Sequence, residues 1–439
     1  MKFTNLLVGE NSLLIQCAEI LIKEGGSIVA IATETPVVRD WAVSREIPII
    51  EPGGDMAARL VAFDYDWLFS IANLRLIPEA VVSRARKGAV NFHDGPLPDL
   101  AGLNTPSWSL LEGRASHAVT WHEITAGVDE GDILVSQSFE VSPDETVLTL
   151  NTKCFEAGIA TFGKLVQDIV ADRLQRQKQD FSTRRYFARN RRPEAAGTLC
   201  FDQPAAQLSR LVRALSFGAG YANPLVTPKL RTRDGLFTVT SLTVLDDAVG
   251  GRPGEVLALR GKGAVIGTAD RPVLVEAVAQ GSGGAIGLDR AVKPGDLLPL
   301  LSAQEKAGLD AALARVVPHE ATFRKWIAKA EDIGLEGVAS PDVSAQPVIR
   351  AAEVSLPAGM PSEDRAALVL AYLVRLSGRP VFDVAYSSDT LRAFCDAHQD
   401  YFARSVPLRV DGGEDRAADA FLTAAAAAIA DADRRLTYP

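Results

Sequence analysis

Cysteine is scarce and scattered in this chain. Its 439 residues hold four, Cys17, Cys154, Cys200 and Cys395, and no C-x-x-C pair. That excludes a disulfide scaffold, a zinc ribbon and a thioredoxin-type centre. The four read as reduced thiols of a cytoplasmic protein. Histidine is nearly as rare, with five residues, none adjacent and none in H-E-x-x-H, so no metal is expected. A G-x-S-x-G elbow is missing, which disfavours a Ser-His-Asp hydrolase. No apolar run approaches the ~20 residues of a membrane span. The Ala-rich stretch 418–430 carries Thr423, ends at Asp431 and reads as a packed helix. Met1-Lys2-Phe3 runs into an apolar strand without a leader. Positive charge is not in surplus either: a net charge of −9 argues against broad nucleic-acid binding.

What is present is ordinary globular composition, 47% hydrophobic and 23% charged, in a chain long enough for two to four domains. Phe3–Val8, Ser27–Thr33, Ile47–Glu51 and Trp67–Ala72 are short apolar runs. Helical patterns lie between them, one from about Asn11 to Glu24 and one near Trp41–Glu46. Strands alternating with helices predict a Rossmann-like, doubly wound parallel sheet. The turn after the first strand, VGENS, offers one glycine where a dinucleotide site needs G-x-G-x-x-G.

The densest chemistry lies in residues 89–132. A strand ends in Asn91-Phe92-His93, and strand alternation puts Asn91 and His93 on one face. A Pro/Gly-rich loop, 94–102, leads to a helix near Asn104. A second strand, Ala118–Ile124, carries Thr120 and His122 on a shared face and ends in the Gly-flanked acidic loop Thr125–Asp132. An amide, an imidazole and a carboxylate can meet at one end of the sheet. His117, opening the second strand, is expected to be exposed.

Downstream, a helix is expected over Leu148–Asp172. The run 173–192 holds eight Lys/Arg and one acidic residue, Asp180. It reads either as an exposed interdomain linker or as a grip on an anionic partner. Residues 197–302 switch to short strands with Gly-rich turns at 250–251 and 281–284, and 303–335 reads as helical. A Pro/Ser-rich stretch, 339–347, precedes a last α+β piece, 350–439.

Asn91-Phe92-His93, Leu97-Pro98 with Gly102, and Val128-Asp129-Glu130-Gly131, in that order, resemble the catalytic signature of the N10-formyltetrahydrofolate-dependent formyltransferases. Asp129 follows Asn91 at the separation that family keeps. The resemblance implies that Asn91, His93 and Asp129 are catalytic, with Thr120 and His122 supporting them. It also implies that the backbone of Arg75, Leu76 and Ile77, facing Thr125, Ala126, Gly127 and Val128, binds the pterin of the co-substrate. Phe201, Gln203-Pro204-Ala205 and Arg213-Ala214-Leu215 resemble the β-barrel-like (OB-like) C-terminal domain of methionyl-tRNA formyltransferases. The expected domains are therefore 1–190 catalytic, 197–302 β domain, 303–349 helical linker and 350–439.

The segment 350–439, with Leu373–Gly378 and Val406–Val410, is similar to part of a condensation domain of nonribosomal peptide synthetases without its catalytic histidine motif. The company of these domains implies formylation of an aminoacyl group on a carrier protein, and a chain that is the front of a longer synthetase. Asp99-Leu100-Ala101 stand where the tRNA enzymes carry basic residues, so a tRNA acceptor is not expected. A free amine or amino sugar, a formyltetrahydrofolate hydrolase using water, and an inactive docking module remain open. In the chemistry the family implies, Asn91 and His93 donate to the developing oxyanion. Asp129 is the base, and its charge keeps His93 protonated.

Overall fold

The computed structural model describes every residue except 1–2, 54, 219, 247–250, 281–283, 285, 335–358 and 414–416. The turns expected at 250–251 and 281–284 fall largely, and the Pro/Ser-rich stretch 339–347 entirely, outside the described residues.

The first 170 residues form β1 (Thr4–Gly9), α1 (Asn11–Lys23), β2 (Ser27–Ala32), α2 (Pro36–Ser44), β3 (Ile49–Ile50), α3 (Met56–Arg59), β4 (Trp67–Ile71), α4 (Glu79–Val82), β5 (Gly88–His93), β6 (Ala101–Gly102), α5 (Thr105–Leu111), β7 (Ser116–Glu123), β8 (Ile133–Glu140) and α6 (Val147–Val170). Seven strands make one sheet in the order β3-β2-β1-β4-β5-β7-β8. The first five are parallel, as near-continuous apolar runs flanked by helices require, with β1 central between β2 and β4. The doubly wound expectation holds there, with one correction: β7 pairs antiparallel with β5, and β8 with β7. The connection from β7 to β8, residues 124–132, is too short for a parallel return, which needs a crossover of a dozen or more residues. The longer connection from β5 to β7, which carries α5, does not itself dictate the reversal. α2 starts at Pro36, five residues before the expected Trp41, since proline's fixed φ suits a first helical turn.

Packing fixes where β5 lies. Phe92 turns away from the site onto Trp121, with ring centroids 5.0 Å apart. α6 crosses above it at Gly158, where a Cβ would stand 2.8 Å from the Phe92 ring, so only glycine permits the approach. Trp121, fully buried, donates from Nε1 to Thr161 Oγ1 on α6 at 2.9 Å. A Thr146–Thr149 capping box starts α6.

The chain then runs through β9 (Tyr186–Phe187) to α7 (Ala205–Ala214) and five antiparallel strands: β10 (Lys229–Thr232), β11 (Gly235–Val244), β12 (Val256–Arg260), β13 (Gly263–Ile266) and β14 (Val273–Ala279). Their order is β10-β11-β14-β13-β12, a five-stranded sheet whose end strands do not pair with each other. α8 (Ala303–Ile327) follows, then α9 (Ser362–Ser377), β15 (Val381–Tyr386), α10 (Asp389–Ala397), β16 (Val406–Asp411) and α11 (Ala418–Arg435). α8 lies in the stretch expected as a linker, yet it packs into one core with the last segment. Leu313, Val316, Val317 and Phe323 cluster with Phe382, Leu391, Leu408, Phe421 and Ile429.

The basic run 173–192 lies largely on the surface, as expected of an exposed stretch, but it is tied back onto the protein. Each of its eight cations is engaged within the protein. Arg173 meets Asp168, Arg176 meets Glu123, and Lys178 meets Asp132. Arg184 meets Glu130, and Arg185 bridges Asp99 and Glu112. Arg189 donates to the Leu74 carbonyl, Arg191 stacks over Trp108 and Phe187, and Arg192 pairs with buried Glu320.

Candidate active site

Alternation along β5 delivers Asn91 and His93 to one face at the strand's carboxyl end, and β7 sets His122 opposite Asn91 and Thr120 opposite His93. Asp129 arrives from the loop after β7 in a left-handed conformation, φ 55°. Leu100 at φ 52° and Asn104 at φ 59° share that uncommon region in the facing loop. Non-glycine residues held there cost on the order of 1–3 kcal/mol each and cluster at functional sites.

The four polar side chains form one network. His93 Nε2 lies 2.9 Å from the Leu100 carbonyl, so that nitrogen carries a hydrogen and donates. Its Nδ1 lies 3.6 Å from Asp129 Oδ2. His122 Nδ1 donates to the Glu123 carbonyl at 2.8 Å. His122 Nε2 lies 3.2 Å from Asn91 Nδ2 and 3.4 Å from Asp129 Oδ1. Neutral, that nitrogen accepts from Asn91; protonated, it donates to Asp129. Asp129 Oδ2 also accepts from the Gly102 N–H at 2.8 Å. Burial alone would raise the Asp129 pKa. The charge of His93, the His122 contact and the Gly102 N–H outweigh it and hold the carboxyl well below the usual carboxylate range.

Thr120 supports the loop rather than the network, its hydroxyl donating to the Gly95 carbonyl at 2.8 Å. His117 is a correction: it is buried, with Nε2 donating to the Asp94 carbonyl at 2.8 Å. Burial pushes its pKa down to about 4. Asp99, in the loop where the tRNA enzymes carry basic residues, is ion-paired with Arg114 and Arg185.

Ile77 of the first expected pterin wall and Ile124, just before the second, pack against the same core cluster. Leu76 is 85% exposed, Leu74 65% and Val128 37%. Such solvent-facing apolar side chains beside a polar network suit a flat aromatic ring. Arg75 itself is turned onto Glu34, and its backbone N–H and carbonyl are both bound to the Asn73 side chain. Thr125 and Ala126 are exposed, and a Cβ at Gly127 would meet only the Glu130 carboxylate, the end of a flexible exposed side chain. Two clefts of about 380 and 560 Å³ lie elsewhere, around Arg231–Leu236 and around Lys229 and Tyr401, and include none of these residues. Among the described residues no group of three or more His, Cys, Asp or Glu is arranged to hold a metal, and no helix is long and apolar enough to cross a membrane.

Sequence reasoning missed three participants. Gln179 donates through Nε2 to the carbonyls of Asp129 and Gly131, at 3.0 and 2.6 Å. Arg184 donates to the Val128 carbonyl at 2.7 Å. The Leu100 carbonyl sets the His93 ring. Only pairing between distant segments reveals them, because a glutamine inside a basic run carries no motif.

Comparison with known proteins gives this geometry its class. Residues 51–165 match the formyl transferase family, and residues 193–290 match the formyl transferase C-terminal domain. The chain carries both formyl transferase domains, and it is an enzyme that moves a formyl group from a formyl-tetrahydrofolate to an amine. Methionyl-tRNA formyltransferase of Geobacter metallireducens is 25% identical over 272 residues, covering 58% of this chain and 84% of that protein. Its counterpart from Methylococcus capsulatus is 28% identical over 225 residues, covering 50% and 70%. Among solved structures, the sugar 3N-formyl transferase WlaRD shares the fold. Its TM-score is 0.50 at 16% identity, over 63% of this chain and 98% of that one. Residues beyond 290 lie outside both family matches.

Proposed function

We propose that Asn91, His93 and Asp129 carry out formyl transfer to the amino group of an aminoacyl unit on a carrier protein, in nonribosomal peptide or siderophore assembly. The observation that carries the catalytic part is the meeting of His93 and His122 at the half-buried Asp129 carboxylate, with Asn91 bound to His122. N10-formyltetrahydrofolate supplies the formyl carbon. As the amine adds, negative charge gathers on the formyl oxygen, and fixed N–H donors in a dry site stabilise it. Asn91 offers an amide hydrogen. The Nδ1 edge of His93 is its free edge, because the opposite nitrogen is bound to Leu100. The 3.6 Å between Nδ1 and Asp129 is long for a hydrogen bond and leaves a substrate atom room to approach.

Asp129 is a weak base, since its proton affinity is held low. Its role is an anchoring anion: it aligns the imidazole and accepts an N–H of the incoming amine, aiming the lone pair at the formyl carbon. The amine's proton leaves after addition, once the new C–N bond has made it acidic, and passes through water to N10 of the folate as the formyl C–N10 bond breaks and tetrahydrofolate departs. This differs from the base role expected from sequence.

Two features support a carrier-bound acceptor. The segment 350–439 resembles part of a condensation domain. The cations of the run 173–192 have partners within the protein, which weakens a grip on nucleic-acid phosphates but leaves Arg173 and Lys178 largely exposed. The pairing of Asp99 with Arg114 and Arg185 weakens one part of the argument against tRNA, because that loop no longer repels a phosphate. A panel decides the acceptor: tetrahydrofolate release from N10-formyltetrahydrofolate with aminoacylated carrier protein, aminoacyl-tRNA, a nucleotide-linked amino sugar, free amino acids, or no acceptor. Release dependent on the carrier supports the proposal; dependence on another acceptor reassigns the substrate. Equal release with none makes the protein a hydrolase.

A further inference from the structure

The carboxylate of Asp129 is held from behind. Its loop runs from Gly127 to Gly131, turns at Val128–Asp129 and carries φ 55° at Asp129 itself. Three of its carbonyls are taken by residues about fifty positions downstream. Arg184 donates to Val128 at 2.7 Å, and Gln179 Nε2 donates to Asp129 at 3.0 Å and Gly131 at 2.6 Å. Both Nε2 hydrogens of Gln179 are thereby used. Turning the amide over would set its oxygen against two carbonyl oxygens, so its orientation is chemically determined.

The same segment grips the other side of the site. Gln177 exchanges two 2.8 Å backbone hydrogen bonds with Ile133, just past the loop. Arg185 and Phe187 accept from Ala101 and Leu103, each at 2.9 Å. Between those two lies Gly102, whose N–H holds Asp129 Oδ2. Residues 177–187 therefore fix both the backbone that carries the carboxylate and the donor that it binds.

We infer that Gln179, with Arg184 beside it, is a positioning residue for the reaction: it locks the 127–131 loop so that Asp129 reaches His93, His122 and the Gly102 N–H together. The inference rests on the catalytic reading of Asp129 given above. Gln179 need touch no substrate.

The test compares Gln179→Met, which keeps the length and removes the donors, with Gln179→Lys, which restores N–H donors. Asp129→Asn and the unaltered chain serve as references. The groups facing Asp129 are His93 from β5, His122 from β7 and the Gly102 N–H from β6. When the loop relaxes away from them, the Asp129 pKa climbs toward the ordinary carboxylate range, and an acid limb enters the turnover–pH profile.

Misplacement by an ångström costs up to about 10²-fold in rate. Gln179→Met should accordingly lose roughly ten- to a hundredfold in turnover of N10-formyltetrahydrofolate and gain that limb, while Gln179→Lys recovers most of the loss. Hydrogen–deuterium exchange, which needs no acceptor, should quicken at 127–131 and at Gly102 and stay unchanged in β1 and β4. If Gln179→Met keeps the original rate, profile and exchange while Asp129→Asn is inactive, the positioning role is wrong and the catalytic reading stands. If Asp129→Asn is itself fully active, the catalytic reading fails and takes the inference with it. Loss accompanied by faster exchange across the whole sheet and no new acid limb marks a purely structural residue and also overturns the inference.

Discussion

At the scale of single residues, a carboxylate with two imidazoles and a backbone N–H around it stays ionised wherever the protein is folded and active. Removing either donor that faces the substrate should cost about 10²–10³ in turnover, the range seen for single oxyanion donors. Asn91→Ala and His93→Ala are the variants to assay, with melting temperature as the control for folding. His117 allows a separate check of the electrostatics. Burial disfavours its imidazolium in the folded state and sets its pKa near 4, below the ordinary 6.5. Between those values the unfolded chain binds more protons than the folded one, so stability should fall as pH drops from 6.5 to 4. The loss is at most roughly 3 kcal/mol. Melting temperature against pH should show this fall, and His117→Gln, which never charges, should flatten it.

At the scale of elements, the site is a junction of two strand ends and two loops sewn together by a third segment. Gly102 sits at the seam with φ 101°, where a Cβ would lie 2.2 Å from the Phe187 carbonyl oxygen. Gly102→Ala should push β6 from β9, lengthen the Gly102–Asp129 contact and lower turnover with little change in the melting of the main sheet. Assays of activity and melting together check it. Much of this junction was legible in the sequence. Alternation placed Asn91 beside His93, which follows from local backbone geometry, whereas the choice of Asp129 among the carboxylates of the Gly-flanked loop came from the resemblance to the formyltransferase signature. The parallel strands were legible as apolar runs, although the reversal at β7 was not, since the strand's direction depends on what lies beside it. Burial of His117 was hidden for the same reason: Asp94, which takes its hydrogen bond, lies 23 residues away. Gln179 was illegible because its partners are carbonyls, and a carbonyl leaves no mark on the sequence.

At the scale of the whole molecule, a buried polar knot ties the two formyl transferase domains to the last segment. Glu320 on α8 is 5% exposed and pairs with Arg192, at the end of the strap that clamps Asp129. Lys229 on β10, its pKa lowered to about 8 by burial despite the nearby Glu320 charge, sits beside them and donates to the Ala196 and Thr227 carbonyls. Glu320→Ala would leave Arg192 buried without its partner, a change that costs about 3–5 kcal/mol in comparable pairs. Thermal unfolding should show the loss, and adding Arg192→Met should return part of it.

The most direct measurement is single-turnover release of tetrahydrofolate from N10-formyltetrahydrofolate by the intact chain and by Asn91→Ala, His93→Ala and Asp129→Asn, under the acceptor condition that gives the fastest release. The account predicts that all three variants bind the folate, melt near the temperature of the unaltered chain and lose at least about a hundredfold in rate. Full activity in the folded Asp129→Asn protein would contradict it, and the chemistry would then have to lie elsewhere in the chain.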